Sequence, residues 1–256
     1  MAILNLGEIE SAEDLEEMAQ RDLEGKTLVQ IQQSIINLDG STRGSTKAGV
    51  GSVIEQGYFG IPRNNSAEPD IKDLQVEVKT CPLVRGKDGK LRVKEPLSLN
   101  IINYVEEHKN KNIIDSSLYR KNRKILFVWY IHDEDNLRSE YLIKYVFLWE
   151  MSDEILKELN DDYLEILGYI IKGEAHHIHQ YQHKHLTLCP KHGGTFKNPN
   201  DKKSKTKQPF SNEYAEIRAF RLKNSYMNTV IRRYLSKKRA SMLDEFVSEK
   251  KPKPKK

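Results

Sequence analysis

Charged residues at 69–79 have the types and the spacing of a metal-dependent hydrolytic site. Asp70 precedes Glu77 by a short segment, and Lys79 follows Glu77 by two positions. Residues two apart in a β-strand lie about 6.6 Å apart on one face, so Glu77 and Lys79 point the same way. A turn at 71–73 brings Asp70 alongside Glu77.

Two carboxylates that meet at one point form an oxygen site for a hard cation. Mg²⁺ binds one or two carboxylates, keeps several waters and takes its other ligands from substrate phosphate. A lysine beside the ion can hold the attacking water, help to deprotonate it and stabilise charge on phosphorus oxygens. The pattern is short and degenerate, and a surface strand with alternating charges is its ordinary alternative.

Hydrophobic periodicity predicts the elements that position these residues. Strict alternation predicts a strand at 74–80. Apolar runs rich in β-forming residues predict strands at 97–104, 125–131, 141–149 and 185–188. Helical spacing predicts helices at 9–21, 28–38, 48–58, 152–172 and 212–235, the last broken near Lys223. The alternation of helices and strands indicates a mixed α/β sheet.

The net charge gives little information about binding partners. The chain has 256 residues, with 42 Lys and Arg against 37 Asp and Glu, a net charge of +5. Five lysines fall within 250–256, so the rest of the chain is close to neutral. A nucleic-acid partner must therefore be argued from where the basic residues lie.

Cysteine content and hydropathy exclude several other classes of protein. Only Cys81 and Cys189 are present, too few for a disulfide scaffold or a four-cysteine zinc site, and we expect free thiols. The acidic start of the chain is unlike a signal peptide, and no run approaches the roughly 18 apolar residues of a membrane helix. We therefore expect a soluble cytoplasmic protein.

Several separated segments resemble, in the same order, the MutH family of PD-(D/E)xK endonucleases. They are 47–55, 69–70 and 76–82. Two later segments, 97–104 and 218–227, look especially like the catalytic half of the Sau-type type II restriction enzymes of that family, which cut GATC.

The resemblance runs from about residue 47 to 235. It implies an α/β fold of the restriction-endonuclease type, with a central mixed β-sheet flanked by helices. The endonuclease domain would span 47–240, packed as one unit with N-terminal helices and a glycine-rich loop at 1–46. A disordered basic tail would follow at 241–256.

The resemblance also assigns roles to candidate catalytic residues. Asp70 and Glu77 match the family's metal-binding carboxylates, and Lys79 its catalytic lysine. Glu55 matches an additional helix glutamate of the site. A second lysine precedes a central strand, and Lys121 is its nearest match. A shift of alignment would substitute Arg120, Arg123 or Lys124.

Three segments are candidates for DNA contacts. MutH reads bases with a proline–lysine pair after an arginine; Pro190 and Lys191 are retained here, whereas Cys189 takes the arginine position. Lysine can donate to guanine O6 and N7, so Lys191 is the base-contact candidate. The downstream loop suits phosphate contacts, although a solvated loop explains it as well. Its lysines are Lys197, Lys202, Lys203, Lys205 and Lys207.

The third segment matches a family stretch that enters the DNA. Arg221 stands where MutH has a tyrosine involved in sensing adenine methylation, which leaves the response to methylation open. Lys223 and Asn224 are further candidates for phosphate or base contacts. Histidines also cluster at 176–185, but neither a cysteine pattern nor an HExxH motif supports a zinc site there.

The resemblance implies a Mg²⁺-dependent, sequence-specific endonuclease of a restriction–modification system, with Mn²⁺ as a substitute ion. The expected substrate is double-stranded DNA with a GATC-like site. One active site cuts one strand, so we expect a dimer on DNA, and a cognate methyltransferase as partner. Sau-type enzymes carry a second, similarly folded domain after the catalytic half. This sequence ends before such a domain, so its assembly is expected to differ if it cuts both strands. A mismatch-repair nickase and a DNA-binding protein without catalysis are the alternatives.

Overall fold

The computed structural model describes residues 4–39, 49–63, 66–179, 183–191 and 205–238. Within them the α-helices are α1 (Ala12–Leu23), α2 (Leu28–Asp39), α3 (Val50–Ser52), α4 (Tyr104–Glu107), α5 (Ser117–Asn122), α6 (Asp153–Ile171) and α7 (Asn224–Lys238). A π-helical turn, Val53–Tyr58, continues α3. Short 3₁₀ turns lie at Leu6–Glu8, Ile113–Asp115, Arg138–Glu140 and Ala175–His177.

The strands are β1 (Glu77–Arg85), β2 (Leu91–Val93), β3 (Leu97–Ile101), β4 (Lys124–Ile131), β5 (Ile143–Glu150), β6 (Leu186–Pro190), β7 (Lys205–Thr206), β8 (Ala215–Glu216) and β9 (Arg218–Leu222). The central sheet has the order β2-β1-β4-β5. In it β1 and β4 run parallel, whereas the β1–β2 and β4–β5 pairs are antiparallel. A second, antiparallel sheet has the order β3-β9-β6, and β7 pairs with β8.

Two hydrophobic clusters cover opposite faces of the central sheet. Successive side chains of a strand point to opposite faces, and β4 shows the consequence. Leu126 and Val128 belong to the cluster with α1, α2 and the π-helical turn, whereas Phe127 and Trp129 belong to the cluster with α6 and α7. All four side chains are fully buried. The sheet is therefore a rigid central layer on which side chains at the start of β1 are held in fixed positions.

The predicted mixed α/β sheet flanked by helices is confirmed. Two strand predictions were wrong at one end. The 74–80 strand starts only at Glu77, because Gln75 has φ 54° within a turn. The 97–104 strand ends at Ile101, and Tyr104 begins α4.

The helix predicted at 212–235 was also wrong in its first half. Residues 218–222 form β9, and the helix begins only at Asn224. The reason is tertiary: β9 pairs on one edge with β3 and on the other with β6, and Ala219, Phe220 and Leu222 are fully buried. Pairing and burial of this kind outweigh local propensity. In the described part of the chain, no helix is both long and apolar enough to cross a membrane.

Candidate active site

Glu77 is the centre of a charged cluster at the start of β1. It is the first residue of the strand and only 1% exposed. Lys79 Nζ donates to Glu77 Oε1 at 2.5 Å, and Lys121 Nζ lies 3.3 Å from Oε2. The two ammonium groups thus offset the cost of burying this carboxylate. Glu77 and Lys79 lie on one face of the strand, as the sequence predicts.

Asp70 is held next to Glu77 by a tight turn. The turn is closed by an isolated β-bridge between Ile71 and Val76. Asp70 N donates to Glu77 Oε2 at 3.2 Å, and Val78 N donates to Asp70 Oδ2 at 3.1 Å. Because each carboxylate accepts from backbone on the other side of the turn, their relative position is fixed by main-chain geometry.

Lys121 reaches this cluster from the end of α5. Its Nζ also donates to the carbonyl oxygens of Ser66 at 2.9 Å and Glu68 at 2.8 Å, and its side chain is 11% exposed. Of the four basic residues that the sequence left open, Lys121 is the one in contact with Glu77. Lys124, in contrast, lies 3.9 Å from Glu150.

Glu55 faces the same cluster from the π-helical turn. A Cβ at Gly51 would lie 3.4 Å from Glu55 Oε1 and 3.5 Å from Thr80 Oγ1, so glycine leaves room for the carboxylate above β1. Irregular turns of this type often occur at functional sites. The pKa of Glu55 is raised to about 7, first because the carboxyl is buried and second because Asp70 is negatively charged.

The electrostatics of the cluster suit a cation. The pKa of Glu77 is also raised, chiefly by burial, although Lys79 acts in the opposite direction. Lys79 and Lys121 offset part of the negative charge of Glu55, Asp70 and Glu77, and a bound cation would offset more of it. Among the described residues, no three His, Cys, Asp or Glu side chains converge closely enough to hold a metal ion by themselves. A cation bound at Asp70 and Glu77 would take its other ligands from water and substrate phosphate, as is usual for Mg²⁺.

A cavity of about 290 Å³ opens beside the cluster. Its polar lining includes Glu55, Lys79, Glu95, Ser98 and Arg221. Arg221 lies on β9 opposite Ser98, and its Nε is buried without a hydrogen-bond partner. The cavity thus joins the carboxylate cluster to a second cationic side chain from the other sheet, an arrangement suited to a phosphate group.

Residues 59–162 match the sequence profile of a family described as the DNA mismatch repair enzyme MutH. The chain has a MutH-like fold. It is also 32% identical, over 211 residues, to the type II restriction enzyme Sau3AI of Staphylococcus aureus. That match covers 80% of this chain and 41% of the restriction enzyme, so the chain spans less than half the length of this relative. The profile match includes Asp70, Glu77, Lys79 and Lys121, and it ends before β6.

The base-contact candidates of the MutH-like fold lie at the end of β6. Pro190 is the last residue of the strand, not a residue beyond it as the sequence predicted, because it pairs with Arg218. Lys191 follows, and its backbone N donates to Ile217 O at 2.7 Å while its side chain is half-buried. The main chain at Lys191 is therefore anchored to the three-stranded sheet.

The lysine-rich loop is described only at its end. Lys205 lies in β7 opposite Glu216, and Lys207 is exposed just after this strand. Lys197, Lys202 and Lys203 lie outside the described residues. The two described lysines lie in and just after the first strand of the β7–β8 hairpin.

The side chains of Lys223 and Asn224 are engaged within the protein. Lys223 Nζ donates to the carbonyl oxygen of His183. Asn224 Nδ2 donates to Lys94 O at 3.1 Å, which ties the start of α7 to the end of β2. In this conformation both residues brace neighbouring segments, so a contact with DNA would have to use donors that these bonds leave available.

Sequence reasoning missed Asp162, which fixes the start of β6. Its carboxylate accepts from Lys184 N at 2.8 Å, His185 N at 2.6 Å and Leu186 N at 2.8 Å. An aspartate that falls between Leu159 and Ile166 on the apolar face of α6 was the available signal, since a buried carboxylate needs donors. Asp162 thus fixes β6, the strand that leads to Lys191.

Histidines of the cluster make ordinary contacts where they are described. His183 Nδ1 lies 3.1 Å from Glu165 Oε2. His176 Nδ1 lies 2.9 Å from Gln208 Nε2. Each contact joins a histidine to a polar side chain from another segment of the chain.

Proposed function

We propose that the chain is a Mg²⁺-dependent, site-specific deoxyribonuclease of the type II restriction class. The observation that carries this proposal is the fixed Asp70–Glu77 pair, flanked by Lys79 and Lys121, at the start of β1 in a MutH-like fold. The similarity to a type II restriction enzyme over 80% of the chain supports the same class. The substrate is double-stranded DNA, and the place of action is the cytoplasm.

Asp70 and Glu77 would hold the ion, with Mn²⁺ as a substitute, and Glu55 is a third carboxylate near it. When bound, Mg²⁺ would lower the pKa of the attacking water and offset negative charge on the phosphate. The residues present fit this ion because the carboxylates of Asp70 and Glu77 are held side by side, and Mg²⁺ needs only one or two protein carboxylates beside water and phosphate.

The chain's own cations have separate tasks at the scissile phosphate. Lys79 lines the cavity, so its ammonium can orient the attacking water and stabilise negative charge on phosphate oxygens. Lys121 holds Glu77 and the carbonyls of Ser66 and Glu68, and it is the residue that positions the carboxylate. Arg221 offers a guanidinium to a phosphate oxygen from the opposite wall.

The DNA-contact residues divide into base contacts and phosphate contacts. Lys191, after Pro190, is proposed to read a guanine. The hairpin and loop lysines are proposed to bind phosphates irrespective of sequence: Lys202, Lys203, Lys205 and Lys207. Arg221, Lys223 and Asn224 complete the proposed surface. The proposed target is a GATC-like site.

Restriction and mismatch repair differ in what is cut. A restriction enzyme cuts both strands, which requires two active sites, and we propose a dimer on DNA and a cognate methyltransferase that protects the host. The match of 59–162 to the mismatch repair enzyme MutH supports a nickase as the second candidate.

Incubation of methylated and unmethylated plasmids with the protein and Mg²⁺, followed by sequencing of the ends, tests the proposal. Linear products with ends at one short sequence in unmethylated DNA are expected. Nicked circles alone would favour the nickase, and intact plasmid under all conditions would contradict both.

A further inference from the structure

A second cavity, of about 270 Å³, lies beside the active-site cavity. The two cavities share Pro82 and Glu95 in their linings. The second cavity is lined by basic side chains, those of Lys94, His132 and Arg138. A ligand that fills the active-site cavity and is long enough to pass Pro82 therefore reaches these groups.

Lys94 and His132 meet across β1. Lys94 follows β2 and His132 follows β4, the two strands that flank β1. Lys94 N donates to Pro82 O at 2.9 Å, and His132 N donates to Leu83 O at 2.8 Å. Both residues are thus fixed to the central sheet by backbone bonds, and their side chains do not depend on a loose loop for their position.

The charge of Lys94 has little compensation from carboxylates. Its Nζ lies 2.7 Å from His132 Nε2, and a ring nitrogen carries no negative charge that would offset the ammonium. Glu134 Oε1 is farther, at 3.8 Å, on a side chain that is 83% exposed, and an ion pair in that setting is weak. Glu95 lines the cavity as well and opposes anions, so the site depends on a direct contact with Lys94.

The spacing fits the backbone of a DNA strand. Lys79 and Pro82 are three positions apart in β1, which spans about 10 Å. Each strand of DNA carries one phosphate per about 3.4 Å of helix axis, so a strand bound at Lys79 has further phosphates within reach of Pro82.

We propose that Lys94 and His132 form a phosphate-binding subsite that holds the DNA strand next to the scissile phosphate. The inference rests on the proposed nuclease function, because it takes the same DNA as ligand. Lys94 donates to a phosphate oxygen, and His132 keeps its ammonium directed into the cavity.

The test is a methylphosphonate scan, in which one phosphate at a time is made neutral. Duplexes with a single substitution are titrated with the wild type, Lys94→Ala and Lys94→Gln in EDTA, which prevents metal-dependent cleavage, across a salt series. Lys157→Ala is the matched control, since it removes one positive charge from the exposed face of α6.

In a plot of log affinity against log salt concentration, we expect the slope to be less steep by about one for both Lys94 variants, because one phosphate contact is lost. One methylphosphonate position should weaken binding by the wild type and by Lys157→Ala, and should have no further effect on the Lys94 variants. The comparison is internal to each duplex, because all four proteins are measured on it.

The inference is overturned if the wild type binds DNA but every methylphosphonate weakens the wild type and the Lys94 variants equally. The same holds if Lys157→Ala changes the slope as much as Lys94→Ala does. Wild-type protein that binds no duplex at low salt would contradict the proposed nuclease function itself, so the two failures are distinguishable.

Discussion

Lys121 and Glu77 form an ion pair between the end of α5 and the start of β1. Nζ of Lys121, just before β4, lies 3.3 Å from Oε2 of Glu77, the first residue of β1. Since β1 and β4 run parallel and pair directly, the helix that leads into β4 ends next to the start of β1, where Glu77 lies. The same ammonium also holds the carbonyls of Ser66 and Glu68, so one side chain positions both the carboxylate and the segment that leads to Asp70.

Replacing Lys121 with alanine should therefore abolish cleavage and also destabilise the fold. The buried oxygen of Glu77 and two carbonyl groups lose a donor, which costs about 1–3 kcal/mol. Chemical denaturation and single-turnover cleavage measure the two effects. Arg120→Ala, which removes the same charge from an exposed neighbour, should change neither; equal effects of both variants would contradict this role.

Lys79→Ala should remain severely impaired even at high Mg²⁺ concentration. The ammonium is expected to act on the attacking water or on the phosphate, and additional metal in solution cannot replace a donor at that position. Single-turnover rates across a Mg²⁺ titration provide the measurement. Recovery of the wild-type rate at saturating Mg²⁺ would show that Lys79 only assists metal binding.

Glu55→Gln should raise the melting temperature at pH 8 more than at pH 5 when metal is absent. The folded pKa of Glu55 is raised from 4.5 to about 7, so the folded state holds the proton more tightly than the unfolded chain. The stability contributed by Glu55 is therefore lost as the pH rises from about 4.5 to 7, and glutamine removes this loss.

Thermal melts in EDTA at the two pH values test this prediction. Glu13→Gln, on an exposed position of α1, serves as the control and should show no such difference. Addition of Mg²⁺ at pH 8 should reduce the advantage of Glu55→Gln, because the ion stabilises the carboxylate. An advantage of equal size at both pH values would contradict the raised pKa.

Lys191→Ala should reduce discrimination between cognate and altered sites by about 1–3 kcal/mol, as expected for the loss of a guanine contact. Affinities for cognate and scrambled duplexes provide the measurement. Equal weakening on both duplexes would make Lys191 a phosphate contact.

Neutralising the loop lysines together should instead weaken binding to every duplex and flatten the salt dependence, because released counterions carry no sequence information. The set is Lys202, Lys203, Lys205 and Lys207. A salt series on the same two duplexes tests it. Unchanged affinity and slope would mean that these lysines are only solvated.

The sequence was most informative where the relevant geometry is local. The alternation of β1 places Glu77 and Lys79 on one face, and a turn of a few residues brings Asp70 to them, so spacing alone predicts the arrangement. Lys121 was left among four basic residues, because the register at the joint of α5 and β4 decides which of them reaches Glu77.

Other features depend on tertiary pairing that no local pattern shows. β9 was predicted as helix, since its pairing with β3 and β6 joins residues far apart in sequence. Lys94 and His132 were not recognised for the same reason: they come together only because β2 and β4 both flank β1. The burial of the Asp162 carboxylate is explained by the backbone N–H donors at 184–186, which the sequence does not identify as its neighbours.

The most direct test of the account is cleavage of a duplex that contains GATC, with Mg²⁺, by the wild type and by Asp70→Asn. Asn keeps the size of the side chain and removes the charge that the metal requires. We predict that the wild type cleaves the duplex, whereas Asp70→Asn binds it with similar affinity and does not cleave it. Cleavage by Asp70→Asn at a rate near that of the wild type would contradict the assignment of the active site.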